Sequence, residues 1–250
     1  DEFEILPWND LGLVEQFLAE NHEEIAGVIT EPIMCNKGCI LPEKGFLKGL
    51  RELCTKYGVA LIFDEVITGF RIDLGGAQTY FNVTPDISIF AKALASGYPL
   101  SAVVGTREWM EVVENGKALH AGTMNSGNGP VAAALATVSI LEREQPHERM
   151  FAYGQKLMEG IRQSAQKHNQ NVLVTGPGPM FCTSFTSLTT LRDYRDTLTF
   201  DGDKLRKFIV GLQAEGIRVI GRGLWYISAA HTEEDITRAV DAVDRVLEQL

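Results

Sequence analysis

Val59-Ala-Leu-Ile-Phe-Asp-Glu-Val-Ile-Thr-Gly-Phe-Arg71 decides the fold. Five consecutive apolar residues precede an acid pair, and the run does not alternate. A continuous apolar run of this length reads as a strand buried on both faces, the habit of parallel sheets. The plan repeats in Pro85-Asp-Ile-Ser-Ile-Phe-Ala-Lys-Ala-Leu-Ala-Ser-Gly-Tyr-Pro99. There Ile87–Phe90 is the strand and Lys92 follows its end. Upstream, Ala26-Gly-Val-Ile-Thr30 reads as a buried strand closed by Glu31-Pro32. Between the first two strands Phe46, Leu50, Leu53 and Tyr57 form the apolar stripe of a helix that Gly58 stops. Asn9 or Asp10 caps an earlier helix bearing Leu11, Val14 and Leu18. Ser101–Gly105 supplies a fourth strand. Strands alternating with helices predict an α/β fold with a largely parallel sheet covered on both faces. Ligands of such sheets lie beyond the carboxyl ends of strands, where Glu31, Asp64 and Lys92 all fall.

Farther along, Pro130 in a first helical turn opens an Ala-rich helix over Val131–Leu141, apolar nearly all round and so expected to be buried. The character changes near residue 145. A long amphipathic helix carries Met150, Leu157, Ile161 and Ala165, then Gly176-Pro-Gly-Pro179 leads into a strand over Met180–Phe185. A helix with Leu205, Phe208, Ile209 and Leu212 ends at Gly216. Ile217–Ile220 and Leu224–Ser228 read as a strand pair around Gly221-Arg-Gly223, and Thr232 with Asp235 as a capping box for the last helix. The expected division is a larger domain over 1–145 and a smaller α+β domain over 146–250.

The bulk properties agree with a globular protein. The chain has 250 residues, 45% hydrophobic and 22% charged, with a formal net charge of −10. That charge argues against nucleic acid or an anionic membrane as the main partner. No apolar run reaches the ~20 residues that span a bilayer. Four cysteines, Cys35, Cys39, Cys54 and Cys182, are few and irregularly spaced. Cys35-x3-Cys39 lacks a second Cys or His pair to complete a metal site, so no metal is expected. Reduced cysteines place the chain in the cytoplasm. The opening Asp1-Glu-Phe-Glu-Ile-Leu-Pro-Trp-Asn-Asp10 lacks an initiator methionine and reads like the entry to a helix in mid-domain.

An anion at one strand end and an amine at the next suit pyridoxal phosphate (PLP), which needs a carboxylate at its ring nitrogen and a lysine at its aldehyde. The Asp64-Glu65 motif fits two other readings equally. One is the Mg²⁺-holding acid of a P-loop NTPase, although the chain has no Gly-x-x-x-x-Gly-Lys-Ser/Thr loop. The other is a helix N-cap. For Lys92, a lysine among alanines is ordinarily a solvated helix residue. Yet the buried run before it and the break at Gly97-Tyr-Pro99 predict partial desolvation, which lowers a lysine pKa and favours Schiff-base chemistry.

Four segments in order resolve the choice. Glu31-Pro32, Asp64-Glu-Val-Ile-Thr-Gly-Phe-Arg71, Ala91-Lys-Ala-Leu-Ala-Ser-Gly-Tyr-Pro-Leu-Ser-Ala102 and His120-Ala-Gly-Thr-Met-Asn125 together resemble the class III PLP-dependent aminotransferases, over essentially the whole chain. The resemblance implies fold type I and a homodimer with a shared active site. It implies that Lys92 forms the internal aldimine and serves as general base and acid in the proton shift. It implies that Asp64 pairs with the pyridinium nitrogen, that Val66 packs on one ring face, and that Thr123 hydrogen-bonds the cofactor phosphate of the neighbouring subunit.

Two departures bear on substrate. Members that use 2-oxoglutarate place a glutamate five residues after the Glu-Pro glutamate, where this chain has Asn36. The strand that carries their carboxylate-binding arginine reads Leu224-Trp-Tyr-Ile-Ser228, without one. Arg222 in Arg-Gly-Leu-Trp-Tyr-Ile-Ser instead resembles the β-amino acid (β-phenylalanine type) aminotransferases, in which that arginine binds the substrate carboxylate. The alternative for Arg222 is a solvated turn residue. The same stretch, with Gly75-Gly-Ala-Gln-Thr-Tyr80, is also similar to glutamate-1-semialdehyde 2,1-aminomutases, though these show Gly-Gly-Gly where this chain has Ala95-Ser-Gly97. An aminotransferase domain of an assembly-line synthase belongs to the same branch. Family subunits carry a long upstream part with a phosphate loop and a ring-stacking aromatic. The chain is therefore expected to be the C-terminal part of a subunit, or a truncated fragment without catalysis.

Overall fold

A computed structural model describes residues 3–250, which fall into two compact units. The first comprises residues up to Leu6, Asp10–Pro32 and Lys44–Gln145, and the second Pro7–Asn9, Ile33–Glu43 and Pro146–Leu250. The second unit thus joins two upstream segments to Pro146–Leu250. Asn9 shows why: its side-chain amide donates to Arg192 O at 2.8 Å, and its Oδ1 accepts from the Glu43 amide at 2.8 Å.

In the first unit α1 (Leu11–Asn21) starts where Asp10 Oδ1 accepts from the Leu13 amide at 3.1 Å. α2 (Phe46–Tyr57) buries Phe46, Leu47, Leu50, Leu53 and Cys54, and ends on Gly58 in the left-handed region at φ 68°. Strands β1 (Gly27–Thr30), β2 (Ala60–Asp64), β3 (Ile87–Phe90) and β4 (Ala102–Gly105) form a sheet in sequence order. β1–β2 and β2–β3 are parallel, and β4 is antiparallel to β3. Asp86 fastens the parallel part, since its Oδ2 accepts from the Leu61 amide and from Arg51, each at 2.7 Å. A five-residue helix, α3 (Gly76–Tyr80), lies between β2 and β3, and α4 (Arg107–Glu114) follows β4.

Two expectations of burial fail here. The sheet is incompletely covered within this chain. Ala60, Leu61, Phe63, Ser88 and Phe90 are buried, whereas Ile29 is 55% exposed, Val103 44% and Val104 45%. The strand over Ala26–Thr30 is accordingly not fully buried. The Ala-rich helix α5 runs over Asn128–Glu144, but only Ala134 of it is buried, and Leu135 is 67% exposed. Ala134 joins a small cluster with Phe90, Leu94 and Ala95. Continuous hydrophobicity records how many faces need cover, and this chain brings cover for one stripe of α5 and only part of the sheet.

The second unit is a three-stranded antiparallel sheet in sequence order: β5 (Val172–Thr175), β6 (Met180–Phe185) and β7 (Leu224–Tyr226). Every residue of the central β6 is buried. α6 (His147–Lys167), α7 (Gly202–Ala214) and α8 (Glu233–Glu248) pack with it around Leu157, Ile161, Phe181, Phe208, Leu212 and Val243. The capping box is present: Thr232 Oγ1 accepts from the Asp235 amide and Asp235 returns the bond to the Thr232 amide. The proposed pair Ile217–Ile220 with Leu224–Ser228 is not a ladder. Ile220 makes only an isolated bridge to Leu224, and Leu224–Tyr226 pairs with β6 instead. β5, which lacked a distinct pattern in sequence, pairs with β6 instead.

Candidate active site

Asp64 is the last residue of β2 and lies opposite Ile89 of β3. Side chains alternate along a strand, so Asp64 and Glu65 leave the sheet in opposite directions. Asp64 is half-buried, and its Oδ1 accepts from the Val66 amide at 3.0 Å. Among the described residues the Asp64 side chain has no other hydrogen bond and no ion pair, so one carboxylate oxygen is available to a ligand.

Lys92 follows β3 by two residues and opens a 3-10 turn over Lys92–Ala95. Its φ is +44°, in the left-handed region that a residue with a side chain rarely adopts. Ser96, which ends the turn, has φ +46°. Strained backbone of this kind persists where surrounding structure enforces it, and Leu94 and Ala95 of the turn are buried in a cluster with Phe90 and Ala134. The desolvation expected for Lys92 is not found: the residue is exposed. It makes no hydrogen bond or ion pair among the described residues.

Val66 is half-buried one turn beyond Asp64. Thr123 lies in an exposed turn between α4 and α5, where the Asn125 amide donates to Gly122 O at 3.0 Å. Glu31 follows β1 at the same edge, half-buried, and Thr30 Oγ1 donates to its carbonyl. The structure therefore brings Glu31, Asp64 and Lys92 to the carboxyl ends of three adjacent strands. Arg222 belongs to the second unit. It is exposed on the turn before β7, with its carbonyl near Cys182 Sγ at 3.5 Å and no ion pair among the described residues. Asn36 is half-buried in the same unit. All four cysteines are free and buried, and burial pushes the Cys54 and Cys182 thiols up to about 11.

One residue of the site escaped sequence reasoning. Glu65 is fully buried, and its carboxylate accepts from the Ala77 amide at 2.6 Å, the Gln78 amide at 3.1 Å and Thr68 Oγ1 at 3.0 Å. Burial raises its pKa against the lowering pull of those donors. The signal available was an acid directly after a buried strand, where an unpaired charge is costly.

The residues fit PLP in donor chemistry. A half-buried carboxylate with an open oxygen suits a protonated ring nitrogen, and an unpaired primary amine on the neighbouring strand suits an aldehyde.

Comparison with known proteins agrees. The family model described as aminotransferase class-III matches residues 9–247. A glutamate-1-semialdehyde 2,1-aminomutase of Thermodesulfovibrio yellowstonii is 37% identical over 249 residues, covering 98% of this chain and 58% of that protein. Among solved structures, a transaminase with PLP bound superposes with a TM-score of 0.88 at 27% identity, covering 98% of this chain and 57% of the other. A β-phenylalanine aminotransferase from Variovorax paradoxus gives a TM-score of 0.90 at 26% identity, covering 97% and 56%. The chain thus spans little more than half the length of the relatives it matches. No helix among the described residues is long and apolar enough to cross a membrane.

Proposed function

Because the chain belongs to the class III aminotransferase family, whose members are PLP-dependent enzymes using amino donors and oxo-acid acceptors, we propose that its subunit transfers an amino group between a β-amino acid and a 2-oxo acid. The observation that carries the reading is the pairing of β2 with β3, which sets the Asp64 carboxylate and the Lys92 amine at neighbouring strand ends.

When bound, PLP supplies an aldehyde that amines condense with and a ring that withdraws electrons. Asp64 holds a proton on the ring nitrogen, a charge-assisted hydrogen bond of roughly 1.5–3 kcal/mol. Lys92 anchors the cofactor through its amine and, once displaced, moves a proton at the carbon that bears the amino group. Val66 orients the ring by packing on one face. Thr123 donates its hydroxyl to a phosphate oxygen in a neighbouring subunit of a homodimer. Arg222 receives the substrate carboxylate, for which its planar fork provides two parallel donors. Residues 1–145 form part of the cofactor-binding large domain, and 146–250 form the smaller C-terminal domain.

A second reading, isomerisation within one substrate as in a glutamate-1-semialdehyde 2,1-aminomutase, is favoured by the 37% identity to that relative. It uses the same Lys92 and Asp64.

The test adds PLP to the chain, reduces with borohydride and maps the modified peptide by mass spectrometry. A pyridoxyl group on Lys92, absent from Lys92→Ala, supports the assignment. Label spread over surface lysines, with Lys92 unmodified in the complete subunit as well, removes it. Screening that subunit with β-phenylalanine and with glutamate-1-semialdehyde separates the two readings.

A further inference from the structure

Glu65 joins four pieces of chain around the candidate site. Its amide donates to Ile89 O at 2.9 Å, and its carbonyl accepts from the Gly69 amide at 2.9 Å. Its carboxylate receives the Ala77 and Gln78 amides at the start of α3 and the Thr68 hydroxyl. The end of β2, the end of β3, the turn at 68–69 and the start of α3 thus converge on one fully buried side chain. Its neighbours are shaped to it. Gly76 has φ +75°, and a Cβ there would stand 2.5 Å from Glu65 Oε2. A Cβ on Gly69 would meet the Glu65 carbonyl at 2.8 Å and the Phe90 ring at 2.3 Å. Phe70, at φ +58°, packs its ring 5.4 Å from that of Phe90, two residues before Lys92.

We propose that Glu65 is a positioning residue, whose clamp between the strand ends and α3 fixes the pose of the Asp64 carboxylate. Asp64 faces the ligand side and touches the turn only through the Val66 amide. The peptide planes that carry both groups are the two flanking Glu65. With the Glu65 carboxylate bonded, residues 66–76 are held as a loop of fixed shape and Val66 N–H stays aimed at Asp64 Oδ1. A buried carboxylate with three donors loses more than one bond when altered, because the Ala77 amide and the Thr68 hydroxyl left behind are themselves buried and unsatisfied. The Asp64–Val66 bond reports the effect without any cofactor, whereas the value of that pose to PLP rests on the function proposed above.

The chain without cofactor, with ¹³C-labelled aspartate, is compared by NMR and amide exchange as wild type and as Glu65→Gln. Glutamine keeps the size but turns one acceptor oxygen into a donor that faces an amide donor. The expected result is exchange roughly tenfold or more faster at Val66, Ala77 and Gln78, with a shifted Asp64 carboxyl signal and unchanged protection in α6 and α8. Faster exchange at Ala77 and Gln78 with Val66 and Asp64 as in wild type would make Glu65 a fold residue only and overturn the proposal. Should Glu65→Gln not fold, Thr68→Val removes one donor from the same Oε2. It must then move Val66 and Asp64 in the same direction by less, and unmoved signals overturn the proposal likewise. Borohydride trapping on Lys92 is read separately, so its failure would remove the functional reading while the Asp64 and Val66 signals still decide this one.

Discussion

Asp64 of β2 stands opposite Ile89 of β3 in a parallel pair, so Lys92 begins its turn three residues beyond the level of the carboxylate. Parallel strands end on the same side of a sheet, and this register brings an acid and an amine to one edge without a long loop to carry either. The relationship makes each residue separately testable.

Asp64→Asn keeps an oxygen for the Val66 amide and removes only the charge. In the complete subunit we expect PLP to remain bound and kcat to fall by about tenfold to a hundredfold or more, the worth of a charge-assisted hydrogen bond. Steady-state kinetics with parallel cofactor absorbance check this, and an unchanged kcat refutes the role.

Gly76→Ala introduces a Cβ at φ +75° with Glu65 Oε2 only 2.5 Å away. Both backbone strain and the clash with a side chain that is already bonded oppose it, and we expect a loss of about 1–3 kcal/mol in urea unfolding. Stability equal to wild type would mean that the loop relaxes freely.

The Glu65 carboxyl has its pKa raised by burial from an ordinary 4.5. The folded state therefore binds this proton more tightly than the unfolded state. That contribution to stability is fully present below the ordinary value and is lost as pH rises through the raised one. Urea titrations of wild type and Glu65→Gln across this range should show wild type losing stability relative to the variant as pH increases. A constant difference between them would rule out the raised value.

Arg222→Ala should raise KM for amino acids several-fold or more in the complete subunit, with little change for simple amines that lack a carboxylate. Equal effects on both substrate types would return Arg222 to the role of a solvated turn residue.

The sequence alone determined the elements whose signals are local. A run of apolar residues ending at Asp64, the left-handed stop at Gly58, the caps at Asp10 and Thr232, and the strand Ile87–Phe90 are all set by neighbours within a few positions. It also carried the family, through the resemblance of the four segments around Glu31, Asp64, Lys92 and Thr123, with which the class-III match over residues 9–247 agrees. Tertiary structure decided what depends on distant partners. β5 is a strand by pairing with β6, whereas Ile217–Ile220 makes only an isolated bridge at Ile220, since Leu224–Tyr226 pairs with β6. Pro7–Asn9 and Ile33–Glu43 joined the second unit through Asn9, a choice made by hydrogen bonds to residues 34 and 183 positions away. Lys92 is exposed where an apolar approach predicted cover, since hydrophobicity marks a surface that wants a partner and cannot say whether this chain supplies one. Glu65 was hidden for a related reason. An acid in sequence is a charge, and only the fold shows that three donors meet it in the interior.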